Sequence, residues 1–171
     1  MKKKVLILNG SPTKGGNTET LADSFKKGAE EAGHDVVKLN LDEYEIAPFR
    51  GMQQKADDFG KVLAELNSAD VVVWATPFYW MQFTAQIKLV MDRMAFASEN
   101  NFAGKEVVLL ATAASPVEKM QETIVSYYQM CFVESVKWKD RGMVLAGGTP
   151  MPGAIAGTPY LEQAYELGKS I

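Results

Sequence analysis

A doubly wound α/β fold, with a parallel sheet covered by helices on both faces, is what the patterning of this chain predicts. Short apolar stretches of strand type alternate with stretches of helical periodicity along its length, an order that implies βαβ units with right-handed crossovers. The run "ADVVVWATP" is continuously apolar through its β-branched residues, as suits a strand buried on both faces. With 171 residues, 47% of them apolar, the chain suffices for one packed core and is too short for two ordinary domains, so residues 1–171 read as a single domain.

Val5–Asn9 is a short apolar strand running into the loop "NGSPTKGGNT", after which Leu21, Phe25, Ala29 and Ala32 recur at helical spacing until Gly33 stops the helix. Asp35–Leu41 alternates as a second strand. An irregular stretch from Asp42 to Gln54 and a helix around Asp57–Asn67 lead into the third strand, "ADVVVWATP", and a helix follows around Thr84–Phe96. "KEVVLLATAAS" repeats the strand pattern, Met120, Ile124, Tyr127 and Cys131 form a helical stripe, Gly142–Gly147 is a last apolar strand, and Leu161–Lys169 a closing helix. In a doubly wound sheet, ligands bind outside the carboxyl ends of the strands where the strand order reverses. The loops that follow the strands are therefore where chemistry is expected.

Composition narrows the partners. A formal charge of −3, with Lys and Arg scattered except at Lys2–Lys4, lacks the basic footprint of a nucleic-acid binder. "MKKKVLILNGS" begins like an export signal, but its apolar run covers only Val5–Leu8 against roughly 7–15 residues in a real one, so it reads as a strand. Val71–Phe83, the longest stretch nearly free of charge, falls short of the ~20 residues that cross a bilayer. Cys131 and His34 are the only residues of their types, which leaves no tetrahedral zinc set. The lone cysteine fits a reducing cytoplasm. A buried Cys131 and a surface His34 are the expected placements.

The first loop joins a strand to a helix beginning near Asn17–Glu19, so unpaired amides and the helix dipole form an anion site. Gly15 and Gly16 can turn N–H groups inward, and Ser11, Thr13, Asn17 and Thr18 can donate from their side chains. Gly10 and Gly15 have Walker-A spacing, but Gly16 and Asn17 stand where its Lys and Ser/Thr belong, and G-x-G-x-x-G is absent. A plain turn that caps the helix is the simpler alternative. In the third-strand loop, "TPFYWMQF", the consecutive Phe78, Tyr79 and Trp80 cannot all face one core, so at least one lines a surface or cleft, an aromatic plug between helices or a dimer contact being the simpler alternative. Pro77 holds Thr76 extended and presents the following amides at the strand tip. "ATAASP", residues 111–116, offers small residues that let a flat ring approach the backbone, and reads equally well as a plain turn. Together these loops suit a flat ring joined by a short chain to one phosphate, as in flavin mononucleotide (FMN).

"LNGSPTKGGNTETLA" and "ADVVVWATPFYWMQFTAQIKLVMDRM", with a weaker C-terminal pattern "YLEQAYELGK", resemble the NADPH-dependent FMN reductase group of the flavodoxin-like superfamily, which includes quinone reductases and iron–sulfur flavoproteins. The resemblance implies a flavodoxin-like three-layer sandwich, its five-stranded parallel sheet ordered 2-1-3-4-5. It implies that Ser11, Thr13, Gly16, Asn17 and Thr18 hold the FMN phosphate, that Pro77, Phe78, Tyr79 and Trp80 flank the isoalloxazine, and that Ala113, Ala114 and Ser115 border it. It further implies NADPH or NADH as co-substrate, a small-molecule electron acceptor, and a homodimer or homotetramer with the flavin near a subunit interface. "KLVMDRM" resembles the helix that often contributes there, although Asp92 and Arg93 can equally be a solvated pair. Two departures stand out. "IAPFRGMQQKADD", which matches the cluster-binding stretch of iron–sulfur flavoproteins, has no cysteine, and Met81 occupies a position where many relatives have Gly, narrowing the space over the flavin. With FMN carrying the chemistry, no catalytic side chain is expected. A flavodoxin-like electron carrier, or an enzyme acting on a phosphorylated substrate without flavin, are the other readings. "GGTPMPGAIAGTP", residues 147–159, is a lid, a dimer arm or a rigid connection.

Overall fold

The computed structural model describes every residue from Met1 to Ile171. Its strands are β1 (Lys4–Asn9), β2 (Asp35–Asn40), β3 (Val71–Pro77), β4 (Glu106–Thr112) and β5 (Lys139–Ala146). They form one sheet in the order β2-β1-β3-β4-β5, with every pairing parallel, as expected. Strand order reverses between β1 and β3. The helices are α1 (Asn17–Glu31), α2 (Phe59–Ser68), α3 (Ala85–Met94), the composite α4 described below, and α5 (Tyr160–Lys169). No helix is long and apolar enough to cross a membrane.

Alternation along the central strands builds the three layers. Val5 and Ile7 of β1, with Val71, Val73 and Ala75 of β3, pack against Leu21, Phe25 and Ala29 of α1 and Ala164 of α5. Leu6, Leu8, Val72 and Trp74 point the other way, onto Val62 and Leu66 of α2, Ile87 and Val90 of α3, and α4. A strand with helices on both faces needs apolar residues at every position, which is why "ADVVVWATP" carries no alternation.

α4 departs from expectation. It runs over residues 117–135, with Gln121–Val125 and Gln129–Ser135 in π-helical geometry around short α-helical turns at Val117–Met120 and Ser126–Tyr128. The stripe expected from ordinary spacing was Met120, Ile124, Tyr127 and Cys131; the fully buried set is Met120, Ile124, Tyr128 and Phe132. The i→i+5 bonding widens each turn, so the face that meets the sheet advances by four residues at a time rather than between three and four. Tyr127 and Cys131 are thereby left half-buried. His34 is likewise half-buried, its Nδ1 accepting the Lys3 amide at 3.1 Å.

Asp92 and Arg93 do not pair with each other. Arg93 is tied to Asp57, donates to the Ala47 carbonyl at 3.2 Å and lies over the Phe59 ring, while Asp92 pairs with Lys88. The arginine is thus a strut between α3 and the 42–58 segment.

Candidate functional site

The β1–α1 loop is built from local hydrogen bonds that consume some donors and expose others. Gly15, at φ +66°, takes a conformation that glycine adopts without steric cost, and its N–H donates to Glu19 Oε2 at 2.6 Å. That bond, with Lys38 at 3.0 Å from Oε1, holds the Glu19 carboxyl below its ordinary range despite partial burial. The Gly16 N–H donates to the Thr13 carbonyl at 3.1 Å. Neither glycine amide is therefore free, contrary to the expectation from sequence. What is free is the helix end: the first α1 bond runs from the Thr20 N–H to the Gly16 carbonyl at 3.0 Å, leaving the amides of Asn17, Thr18 and Glu19 without an acceptor in the protein. Ser11 Oγ accepts the Thr13 N–H at 3.2 Å, so its own proton is available.

Asn17 has a different job from the side-chain donor expected. Its Nδ2 donates to the Thr149 carbonyl at 3.0 Å and the Met151 carbonyl at 2.8 Å, and its Oδ1 accepts the Ile155 N–H at 3.3 Å. Both amide protons are spent strapping the segment after β5 to the start of α1. Thr149 is pinned from its other side, with its N–H on the Ala113 carbonyl at 2.8 Å. The Gly/Pro-rich stretch is thus fixed to the start of α1 and the end of β4, and residues 149–152 form a wall of the cavity.

That cavity, about 240 Å³, lies at the carboxyl ends of the central strands. It brings together Ser11, Thr13, Gly16, Asn17 and Thr18 from the first loop, Pro77, Phe78 and Tyr79 from the third, and Ala113 and Ala114 from the fourth. Trp80 and Ser115 fall in an adjoining cavity of about 550 Å³, which shares Phe78 and Tyr79 with the first. Sequence reasoning missed Thr112 and the wall from Thr149 to Pro152. Thr112 lies inside the "ATAASP" stretch, its Oγ1 2.7 Å from Thr18 Oγ1. For the wall, only the Gly/Pro composition of residues 147–159 gave a signal.

The β3–α3 loop also spends donors that had seemed free. The Phe78 N–H donates to the Thr112 carbonyl at 2.8 Å, and Tyr79 and Gln82 exchange backbone bonds at 3.2 and 3.0 Å. Between those two, Trp80 and Met81 have φ of +47° and +64°, the signature of a two-residue I′ turn. Asn and Gly are the usual occupants; a residue with Cβ in this region costs about 1–2 kcal/mol. Met81 thus holds a conformation that glycine adopts more easily. Trp80 is 99% exposed, Tyr79 and Met81 about half. The amides of Ala114 and Ser115 make no hydrogen bond within the protein and remain available at the opposite edge.

Neither cavity is lined by a lysine, arginine or carboxylate. Free helix amides and hydroxyls suit a phosphate without a counter-cation, and apolar walls facing small Ala113 and Ala114 suit a flat ring, so these residues fit FMN. Fold and site together define a flavodoxin-like α/β protein built for a phosphorylated ring compound. The chain belongs to the NADPH-dependent FMN reductase family, whose sequence profile matches residues 3–139. It is an NAD(P)H-dependent flavin oxidoreductase with FMN as its cofactor. An iron-sulfur flavoprotein of Methanosarcina thermophila is 25% identical over 174 residues, covering 96% of this chain and 87% of that protein. An NAD(P)H:quinone oxidoreductase from Methanothermobacter marburgensis superimposes with a TM-score of 0.77 at 18% identity, over 99% of this chain and 97% of its own. An azoreductase from Bacillus anthracis gives a TM-score of 0.77 at 17% identity, with both chains covered completely (100%). At these identities the two solved structures speak to the fold alone.

Proposed function

We propose that the chain, as a single domain, binds FMN in the cavity at the β1, β3 and β4 strand ends and oxidises NADPH or NADH. The electrons go to a small-molecule acceptor: a quinone, a nitro or azo compound, or free flavin. The observation that carries this reading is the meeting, in one cavity, of a helix end with free amides and an apolar wall opposite small residues. FMN held there would supply the two-electron chemistry, hydride acceptance at its N5 included.

The protein's own residues bind, orient and exclude water. The amides of Asn17, Thr18 and Glu19 and the hydroxyls of Ser11, Thr13 and Thr18 receive the phosphate, each bond to a charged oxygen contributing roughly 1.5–3 kcal/mol. Phe78 and Tyr79 would wall the ring, with small Ala113 and Ala114 leaving the backbone beside them accessible to it. There the amides of Ala114 and Ser115 are preorganised donors for negative charge on the reduced ring. Thr149 to Pro152, held by Asn17, close the cavity's other side. The working assembly is a homodimer or homotetramer, an assignment supported by the family resemblance.

Purification followed by a visible spectrum and anaerobic titration with NADPH and NADH tests the reading. Bound flavin bleached by either nicotinamide is the expected result. Flavin that neither nicotinamide reduces would make the chain an electron carrier, and a colourless protein indifferent to added FMN would remove flavin altogether. Ser11→Ala combined with Thr18→Ala should weaken FMN binding at least ~10-fold, the worth of about one lost bond to a charged group.

A further inference from the structure

Neither Glu19 nor Lys38 lines the cofactor cavity, yet both act on the loop that does. The Glu19 backbone N–H is one of the three free amides at the start of α1, and its Oε2 accepts the Gly15 N–H at 2.6 Å. Lys38, reaching across from β2, lies 3.0 Å from Glu19 Oε1 and 2.5 Å from Asp23 Oδ1. The Lys38 and Glu19 side chains are only 15% and 13% exposed, so salt and water screen this pair less than one on the open surface. Burial pulls the Lys38 ammonium down, but its hydrogen bonds to Asp23 and Glu19 outweigh that pull, and the net shift is upward from 10.5.

A carboxylate here works against a phosphate, because a negative side chain in the first turn of a helix competes with an anionic ligand for the same partial positive charge. Holding the loop does not require one. On the other side of the loop Asn9 does equivalent work uncharged, its Oδ1 accepting the Ser11 N–H at 3.1 Å while its Nδ2 donates to Asn40 Oδ1 of β2 at 3.1 Å. Glu19 thus gives the helix end a built-in anion, and Lys38 decides how much of that charge an incoming phosphate meets.

We propose that Lys38 is a positioning residue for the phosphorylated cofactor: it draws the Glu19 carboxylate toward β2 and neutralises it, so that the start of α1 prefers a flavin that carries a phosphate to one that does not. The proposal rests on the flavin reading above and deepens it by naming what sets selectivity at the phosphate end.

The test is the ratio of the riboflavin to the FMN dissociation constant, measured by fluorescence titration of the whole chain stripped of flavin. Riboflavin has the ring and lacks the phosphate, so damage to the fold weakens both ligands and leaves the ratio unmoved. Lys38→Met, which leaves Glu19 and Asp23 without their cation, should lower the ratio about 5-fold, the order of a charge at a helix end. That loss should shrink in ~1 M potassium chloride, where the screening length falls to about 3 Å. Glu19→Gln keeps an acceptor for the Gly15 N–H and leaves Lys38 charged, so it should raise the ratio about 3-fold. Adding Glu19→Gln to Lys38→Met returns the local charge to that of the wild type and should restore the wild-type ratio. An unmoved ratio in Lys38→Met, or a double variant as low as Lys38→Met, would overturn the proposal. So would a ratio below wild type in Glu19→Gln, which would leave Glu19 a holder of the loop and nothing more; this variant decides alone where Lys38→Met does not fold. Failure of the parent reading looks different, for the wild type itself would then bind neither flavin, and the proposal would fall with it.

Discussion

Asn17 illustrates how one side chain joins regions distant in sequence. Its three bonds to Thr149, Met151 and Ile155 are the main polar link between the β1–α1 loop and the wall after β5. Asn17→Ala removes all three and leaves the backbone amide of residue 17 in place. The expected outcome is faster proteolytic cleavage between residues 147 and 159 together with FMN affinity reduced about 10-fold, since a loosened wall must be ordered on binding. Asn17→Asp keeps the acceptor, loses both donors and turns a carboxylate toward two carbonyl oxygens and the phosphate, so it should weaken FMN binding more than alanine does. Proteolysis unaltered in Asn17→Ala would show that the wall is held by Thr149 and its neighbours alone. The role was hidden in sequence because Asn before a helix reads as a cap or a phosphate donor, and its true partners are more than a hundred residues away.

At the scale of elements, α1 and α5 pack directly against each other. A Cβ on Gly28 would overlap the Tyr165 carbonyl, and one on Gly168 would overlap the Phe25 carbonyl, so the helices touch backbone to backbone. Mid-helix glycine costs about 1 kcal/mol relative to alanine, a cost consistent with such a contact. Gly28→Ala must push the helices apart; a loss of about 3 kcal/mol and a melting temperature roughly 10 °C lower are expected by calorimetry. A gain in stability would mean the helices separate freely. Both glycines were visible in the sequence, but inside amphipathic helices they carried no sign of what they face. α4 shows the opposite case, where a clear stripe was visible and its later half was misread, because π turns shift Tyr128 and Phe132 inward in place of Tyr127 and Cys131.

Over the whole molecule, the two ends of the sheet are specialised differently. The carboxyl ends of the strands hold the uncharged cavities, while the opposite end is bound by charge: Glu106 accepts from Lys3 at 2.8 Å and from Arg141 at 3.0 Å, joining the starts of β1, β4 and β5. Burial pushes the Glu106 carboxyl up, but the Lys3 hydrogen bond and the charges of Arg141 and Lys3 outweigh it, and the net shift is downward from 4.5. A depressed native pKa means that the unfolded chain binds more protons in this range, so the stabilisation is present above pH 4.5 and is lost as pH falls through the lower native value. Melting temperatures measured from pH 7 to pH 3 should therefore fall on the acid side, and Glu106→Gln should flatten that fall while lowering the plateau at neutral pH. A variant with an undiminished acid slope would assign the loss to other carboxylates.

Alternation of strand and helix patterns, the unbroken apolar run in β3 and the donor-rich loop after β1 determined the architecture and the loops that line the cavity at the strand ends, because burial and hydrogen-bond satisfaction act on residue type locally. Ser11 and the helix start were readable for the same reason. Tertiary structure alone decided which donors remain free: Gly15 is taken by Glu19, Gly16 by Thr13, Phe78 by Thr112 and Asn17 by the wall, leaving the helix amides and those of Ala114 and Ser115. A donor's availability depends on who else can reach it, and that is a property of chain segments meeting in space. The strain at Trp80 and Met81 was likewise invisible, since backbone angles opposed to residue preference arise only where the surrounding fold over-determines them.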